Sequence, residues 1–225
     1  MNIVIFGPPG AGKGTQSNFI VEKFKLHQLS TGELLRKEIK NRTNLGSQIE
    51  SIINAGNLVS DDIVSDLIEK YISDKTYKNR LIFDGYPRNL IQVKNLDNLL
   101  KKYDQKIDIV LKLSVSLETI KRRISERKDL EKRVDDNEKV AIKRFEMYEK
   151  NIEPVIKFYK QSNLLTVVNG ENNKTEISDE ISDLIESFKG WLWDIRQYKY
   201  PGKQLLIKIW LVLQEQTFHK IKLLV

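Results

Sequence analysis

A short apolar strand running straight into a glycine-rich loop constrains this chain more than any other feature. Ile3–Phe6 is β-branched and aromatic, and Gly7-Pro8-Pro9-Gly10-Ala11-Gly12-Lys13-Gly14-Thr15 follows it directly. An amphipathic stretch, Gln16–Phe24, comes next. Glycine has no Cβ, so successive backbone N–H groups can converge on phosphate oxygens. The start of the following helix adds its positive end. Lys13 supplies a point charge for β- and γ-phosphates, and Thr15 is placed to ligate or orient Mg²⁺. The hydroxyl comes one position later than in the commonest form of this motif. The competing reading is a glycine-rich turn with a surface lysine; the strand before and the helix after favour a phosphate loop. The loop does not say what accepts the phosphate, because motors, GTPases and small-molecule kinases share it.

Further apolar runs rich in β-branched residues recur at Leu81–Phe83, Ile107–Leu113 and Leu164–Val168, with a weaker one at His27–Leu29. Such runs suit strands buried on both faces of a parallel sheet. Helical periods lie between them. Ile63, Leu67, Ile68 and Ile72 share one face, with Ser60 as the expected cap and Asp61 and Asp62 in the first turn. Ile177, Ile181, Leu184, Ile185 and Phe188 share another. Gly56, after Ile49–Ile53, reads as a helix stop. Strand–helix alternation predicts an α/β fold with right-handed crossovers.

Composition narrows the chemistry. There is no cysteine among the 225 residues, which excludes disulfides, thiol catalysis and Cys-based zinc or iron–sulfur sites. Two histidines, His27 and His219, are too few for a His-built metal cage. The net charge of +7 would suit a nucleic acid or a membrane surface. That charge is unevenly placed: Lys121–Arg144 is +4 and Gly190–Val225 is +4, leaving the other 165 residues at −1. The chain therefore has one basic patch and one basic tail, with no basic coat for nucleic acid. The apolar run at the N-terminus is four residues long with no basic region before it, so no secretion signal is read there. The tail's best uncharged run, Ile209–Gln214, falls far short of the ~20 residues of a spanning helix. A cytoplasmic location is expected.

Four further stretches speak to the acceptor. They are Ser30-Thr31-Gly32-Glu33-Leu34-Leu35-Arg36, Gly56-Asn57-Leu58-Val59-Ser60-Asp61, Asp84-Gly85-Tyr86-Pro87-Arg88 followed by Gln92, and the set Arg123, Arg127, Arg133 and Arg144 with Asp135-Asp136. In order and spacing, together with the phosphate loop, they make residues 1–189 resemble the adenylate kinase family. The resemblance implies ATP + AMP ⇌ 2 ADP with Mg²⁺. It implies a P-loop NTPase-type three-layer sandwich on a five-stranded parallel sheet, a small helical NMP-binding region over residues 30–59, and a lid over 126–136. By the same resemblance Gly10, Ala11, Gly12, Lys13, Gly14 and Thr15 wrap the ATP phosphates, and Arg127 and Asn172 contact ATP. Thr31, Arg36, Asn57, Leu58, Val59, Gly85, Tyr86, Pro87, Arg88 and Gln92 hold AMP. Arg133 and Arg144 reach AMP and the transferring group. Lys13, Arg88, Arg123, Arg127, Arg133 and Arg144 make the expected catalytic set, Asp135 and Asp136 the lid hinge. Thr15 and Asp84 make the expected Mg²⁺ site, the carboxylate acting through water. A monomer is expected.

Physical reasons stand beside these roles. The transferring group carries charge on three equatorial oxygens and the acceptor is already a dianion, so positioning and positive charge matter more than a strong base. Arginine binds phosphate bidentately and stays protonated. Arg123 and Arg127 are i, i+4 on a helical stretch and share a face. Gln92 offers a donor and an acceptor to an adenine edge. Taken singly, several of these have plainer readings: Lys121–Lys128 as a solvated helix face, Asp135-Asp136 as a cap for the helix that follows.

The chain departs from the family in two places. Only Lys128-Asp129-Leu130-Glu131-Lys132 separates Arg127 from Arg133, so the long β-rich lid of many bacterial relatives, some with Cys-bound zinc, has no room. This is the short-lid form, shared with UMP/CMP kinases; Thr31 and Gln92 favour AMP over that rival. The extension over 190–225, with Trp191, Trp193 and Trp210 and a break at Pro201-Gly202, has no counterpart in the resemblance. It reads as an accessory piece without a part in the chemistry. A reading of another class, a nucleotide-binding module docking through that basic tail without catalysis, would have no use for Arg36, Arg88, Arg133 and Arg144 together.

Overall fold

The structure, a computed structural model, describes residues 1–131 and 138–197. The chain divides into two units, Met1–Ser178 and Asp179–Val225. In order, the elements are β1 (Ile3–Phe6), α1 (Lys13–Phe24), β2 (His27–Ser30), α2 (Thr31–Lys40), α3 (Asn44–Asn54), α4 (Asp61–Ser73), a 3₁₀ turn at Lys75–Tyr77, β3 (Leu81–Asp84), α5 (Leu90–Lys102), β4 (Ile109–Ser114), α6 (Leu117–Glu131), α7 (Glu138–Gln161), β5 (Leu165–Asn169) and α8 (Lys174–Gln197).

The five strands form one parallel sheet in the order β2-β3-β1-β4-β5. Its apolar runs are continuous because both faces are covered. Val4, Phe6, Leu81, Phe83 and Val110 belong to one cluster with Val64 and Ile68 of α4, Val93 and Leu96 of α5, and Val155 of α7. Ile3, Ile5, Ile82 and Leu111, one residue out of phase, are 0% exposed as well. With a side-chain period of two, those residues face the other way, where α1 packs against the strands. The three-layer α/β expectation holds. β4 starts two residues later than its apolar run, because the Asp108 carboxylate turns to accept the Asn2 N–H at 2.8 Å.

The connection from β2 to β3 carries three helices. Thr43 caps α3, its Oγ1 accepting the Gly46 N–H at 2.9 Å. α3 ends as expected at Gly56, with φ of 74°. The Gly56 N–H donates to Ile53 O and the Asn57 N–H to Ile52 O, the double bond pattern of a glycine-ended helix. The expected cap on α4 is different in kind. The Ser60 side chain makes no cap bond; the Asp61 carboxylate that follows it is taken up by α5, as described below.

The register decides where a site can lie. Ser30 and Ile5 both pair with Asp84, so β1, β2 and β3 end side by side. β1 lies between β3 and β4, the point at which chain order reverses across the sheet, and crevices at such carboxyl ends take ligands. α8 runs without a break through Lys189 and Gly190 to Gln197.

Candidate active site

A single cleft of about 900 Å³ opens at those strand ends. On one side it is lined by Gly10, Ala11, Gly12, Lys13, Gly14 and Thr15. Gly10 and Gly12 have φ of 85° and 93°, the left-handed region that favours glycine. A Cβ on Gly10 would stand 3.0 Å from Ile124 Cγ1 of α6, so the loop is pressed against that helix. Gly12 starts α1 with no side-chain cap, which leaves the first N–H groups of the helix to a ligand. Lys13 Nζ donates to Gly7 O at 2.8 Å and Pro8 O at 3.1 Å, which holds the ammonium over the loop.

The other side of the cleft is built from the β2–α2 start, the α3–α4 turn and the β3–α5 loop. Thr31, Arg36, Asn57, Leu58, Val59, Asp84, Gly85, Pro87, Arg88 and Gln92 all line it. Gly85, at φ 78°, is gripped through its carbonyl. Arg88 Nε donates to Gly85 O at 2.7 Å and Thr31 Oγ1 donates to it at 3.1 Å. The Arg88 N–H donates to Gln92 Oε1 at 2.6 Å. Tyr86, expected among the acceptor-site residues, is 1% exposed and stands under the loop with its hydroxyl 3.4 Å from Ser65 Oγ. The Tyr86-Pro87 peptide is cis.

Positive charge converges on this space. Arg36, Arg88, Arg122, Arg123 and Arg144 line it together with Lys13. Arg123 ties three parts of the rim: Nη2 donates to Gly170 O at 2.9 Å and Nη1 to Ala11 O at 3.4 Å. Arg144, on α7, donates from Nη2 to Ile53 O at 3.4 Å at the end of α3. Arg88 is exposed to the cleft yet enclosed by its walls. That enclosure pulls its guanidinium below the ordinary arginine value; Asp84 opposes the shift, and Arg144 and Arg36 add to it. An arginine so shifted stays protonated. Glu171, also on the rim, accepts from Thr119 Oγ1 at 2.6 Å and from the Ser116 N–H at the head of α6.

Asn172 lines the cleft, its Oδ1 accepting from Asn169 Nδ2 at 3.1 Å. Arg127 belongs to α6, but its side chain is not among those described; Arg133, Asp135 and Asp136 lie outside the described residues. Sequence reading gave no site role to Arg122 or Glu171, and took Asp61 only as part of the acceptor stretch and the first turn of α4. Arg122 could have been found from its neighbour Arg123; the other two owe their places to partners distant in the chain.

Two oxygen donors suit a hard cation here. Thr15 and Asp84 line the same cleft, and Asp84 Oδ2 is steadied by Gln28 Nε2 at 2.9 Å. Among the described residues no group of three or more His, Cys, Asp or Glu could form a metal cage. A hydroxyl and one carboxylate fit Mg²⁺, which keeps several waters and leans on the phosphates of its nucleotide.

Comparison with known proteins agrees with this geometry. The family model described as Adenylate kinase matches residues 5–164. The chain is 38% identical over 212 residues to an adenylate kinase of Pelagibacter ubique, covering 83% of this chain and 100% of that protein. It is 41% identical over 191 residues to one from Azobacteroides pseudotrichonymphae, at 83% and 98% coverage. It is 38% identical over 189 residues to one from Porphyromonas gingivalis, at 84% and 97% coverage. With a phosphate loop and an arginine-lined acceptor pocket facing each other across one cleft, and with relatives matched over nearly their whole length, the chain belongs to the adenylate kinase family.

Proposed function

We propose that the protein transfers the terminal phosphoryl group of ATP reversibly to AMP, giving two ADP, and so balances adenine nucleotides. One observation carries this reading: the phosphate loop and the arginine-lined acceptor pocket open on the same cleft. A module that only binds a nucleotide has no use for the second half.

The chain's own residues account for the chemistry by position and charge. The backbone of Gly10–Thr15 and the uncapped start of α1 take the ATP phosphates, with the Lys13 ammonium above them. Anchored through Nε, Arg88 keeps its terminal nitrogens for the AMP phosphate. Arg36 and Arg144 approach the same space from α2 and α7, and Arg123 from α6. These fixed cations meet charge that spreads over the transferring group, and they need no reorganisation as it develops. Thr31, Val59 and Gln92 surround the acceptor base. Mg²⁺, bound with ATP, supplies charge neutralisation across the phosphates; Thr15 and Asp84 are the residues that would hold it, Asp84 through water.

The family roles of Arg127, Arg133, Asp135, Asp136 and Asn172 are part of the same proposal, as are an NMP-binding region over 30–59, a short lid over 126–136 and a kinase region ending near 189. One alignment length is in keeping with a short lid. The 212-position match to the P. ubique protein draws on only 83% of this 225-residue chain, so its surplus positions have no counterpart here. The P. gingivalis match shows no such surplus, with 189 positions drawing on 84%. A monomer is proposed because one chain builds both halves of the cleft, and the cytoplasm because adenine nucleotides are its substrates. Multiple turnovers of ADP from ATP and AMP in a coupled assay are expected. ADP no higher than without acceptor would contradict the enzyme and favour a binder.

A further inference from the structure

The acceptor site has a support that lies outside the cleft. Asp61, in the first turn of α4, does not line the cavity. Its Oδ1 accepts from Gln92 Nε2 at 2.6 Å, and Asn89 Nδ2 donates to Oδ1 and Oδ2 at 3.2 and 3.1 Å. On its other side Gln92 Oε1 accepts the Arg88 N–H at 2.6 Å, and the Gln92 N–H donates to Asn89 Oδ1 at 2.8 Å.

This arrangement has one consistent hydrogen-bond pattern. A carboxylate only accepts and a backbone N–H only donates. Turning the Gln92 amide over would set Nε2 against the Arg88 N–H and Oε1 against the carboxylate. Gln92 is 2% exposed, so water would not relieve either mismatch. The amide is therefore fixed end for end, with one N–H and one lone pair left over. A donor and an acceptor in fixed order suit adenine, whose N1 accepts beside an N6 amino group that donates. Guanine, of the same ring size, presents O6 and N1–H in the opposite order.

We propose that Asp61 is a positioning residue for acceptor recognition: it locks the Gln92 amide in the orientation that reads adenine. The proposal rests on the reading that Gln92 meets the AMP base. The test is steady-state kinetics of the full chain with ATP, AMP and GMP, for Asp61→Ala, Asp61→Asn, Gln92→Ala and the double alanine variant, with melting temperatures. Loss of one charge-assisted bond predicts that Asp61→Ala raises KM for AMP about tenfold and narrows the AMP-over-GMP preference by about the same factor, with KM for ATP within about twofold. Asp61→Asn, which keeps the shape and one acceptor oxygen, recovers most of the loss. The double variant matches Gln92→Ala alone. An unchanged KM and acceptor ratio in Asp61→Ala, with a raised KM in Gln92→Ala, overturns the proposal and spares the base assignment. Unchanged values in both overturn the assignment of Gln92 as well. Equal losses toward ATP and AMP with a lowered melting temperature would mark a merely structural carboxylate and also overturn it.

Discussion

Lys13 and Arg88 line opposite walls of one cleft, and backbone carbonyls hold both. Lys13 Nζ rests on two backbone carbonyls, and Arg88 is anchored through Nε to a third. Removing either side chain therefore takes away charge at the phosphates while leaving the scaffold. Lys13→Ala and Arg88→Ala are each expected to lower kcat by at least about a hundredfold, the scale of a lost donor to developing charge, with the melting temperature kept. Near wild-type turnover in either would refute its role. Glu171 gives a prediction in pH. It is held below the ordinary 4.5, first by the Thr119 hydroxyl, then by the Ser116 N–H, with burial opposing. A depressed carboxylate stabilises the fold above its unfolded value and loses that contribution as pH falls through the folded one. The melting temperature of Glu171→Gln should lie below that of the unaltered chain at pH 7, and the gap should close as pH falls below the ordinary carboxylate range. A gap that is constant with pH would show that the charge is not what matters.

At the level of elements, close backbone approach and glycine placement hold the acceptor wall. Gly46 sits in the first turn of α3, where an added Cβ would come within 2.2 Å of the Glu38 carbonyl oxygen of α2. Alanine is the better helix former by less than about 1 kcal/mol, whereas overpacking against backbone costs about 1–3 kcal/mol or more, so the clash wins. Gly46→Ala should lower the melting temperature by roughly 5–10 °C; a rise would mean that the two helices separate freely. The phosphate loop and the five strands were legible in the sequence because their signals are local: glycines at fixed offsets, and short β-branched runs. Gly56 was legible as a helix stop for the same reason. What was hidden depends on partners far along the chain. The expected Ser60 cap gives way to Asp61 reaching across to Asn89 and Gln92 on α5. α7 runs on to Gln161 with Pro154 inside it, where a proline ordinarily argues for a boundary. Tyr86 lies in the same short loop as Arg88, yet one side chain goes under the loop and the other into the cleft, a choice that the motif alone does not make.

For the molecule as a whole, the +7 charge resolves into parts with different meanings. Within Lys121–Arg144, Arg122, Arg123 and Arg144 line the cleft, where the proposed reaction places small anionic substrates. The basic residues beyond Gln197 lie past the end of the family match at residue 164. A chain ending at Gln197, which keeps α8 entire, is expected to retain kcat and KM within about twofold, as for a change remote from the bound substrate; a large loss of kcat would give the tail a part in the reaction. The central claim is that the acceptor pocket is built for AMP. It is tested most directly by ADP formation from ATP with AMP, CMP or UMP as acceptor at matched concentrations. The account predicts kcat/KM for AMP at least about tenfold above either pyrimidine nucleotide, the scale on which a hydrogen-bonding pocket discriminates. Faster turnover of CMP or UMP would contradict it.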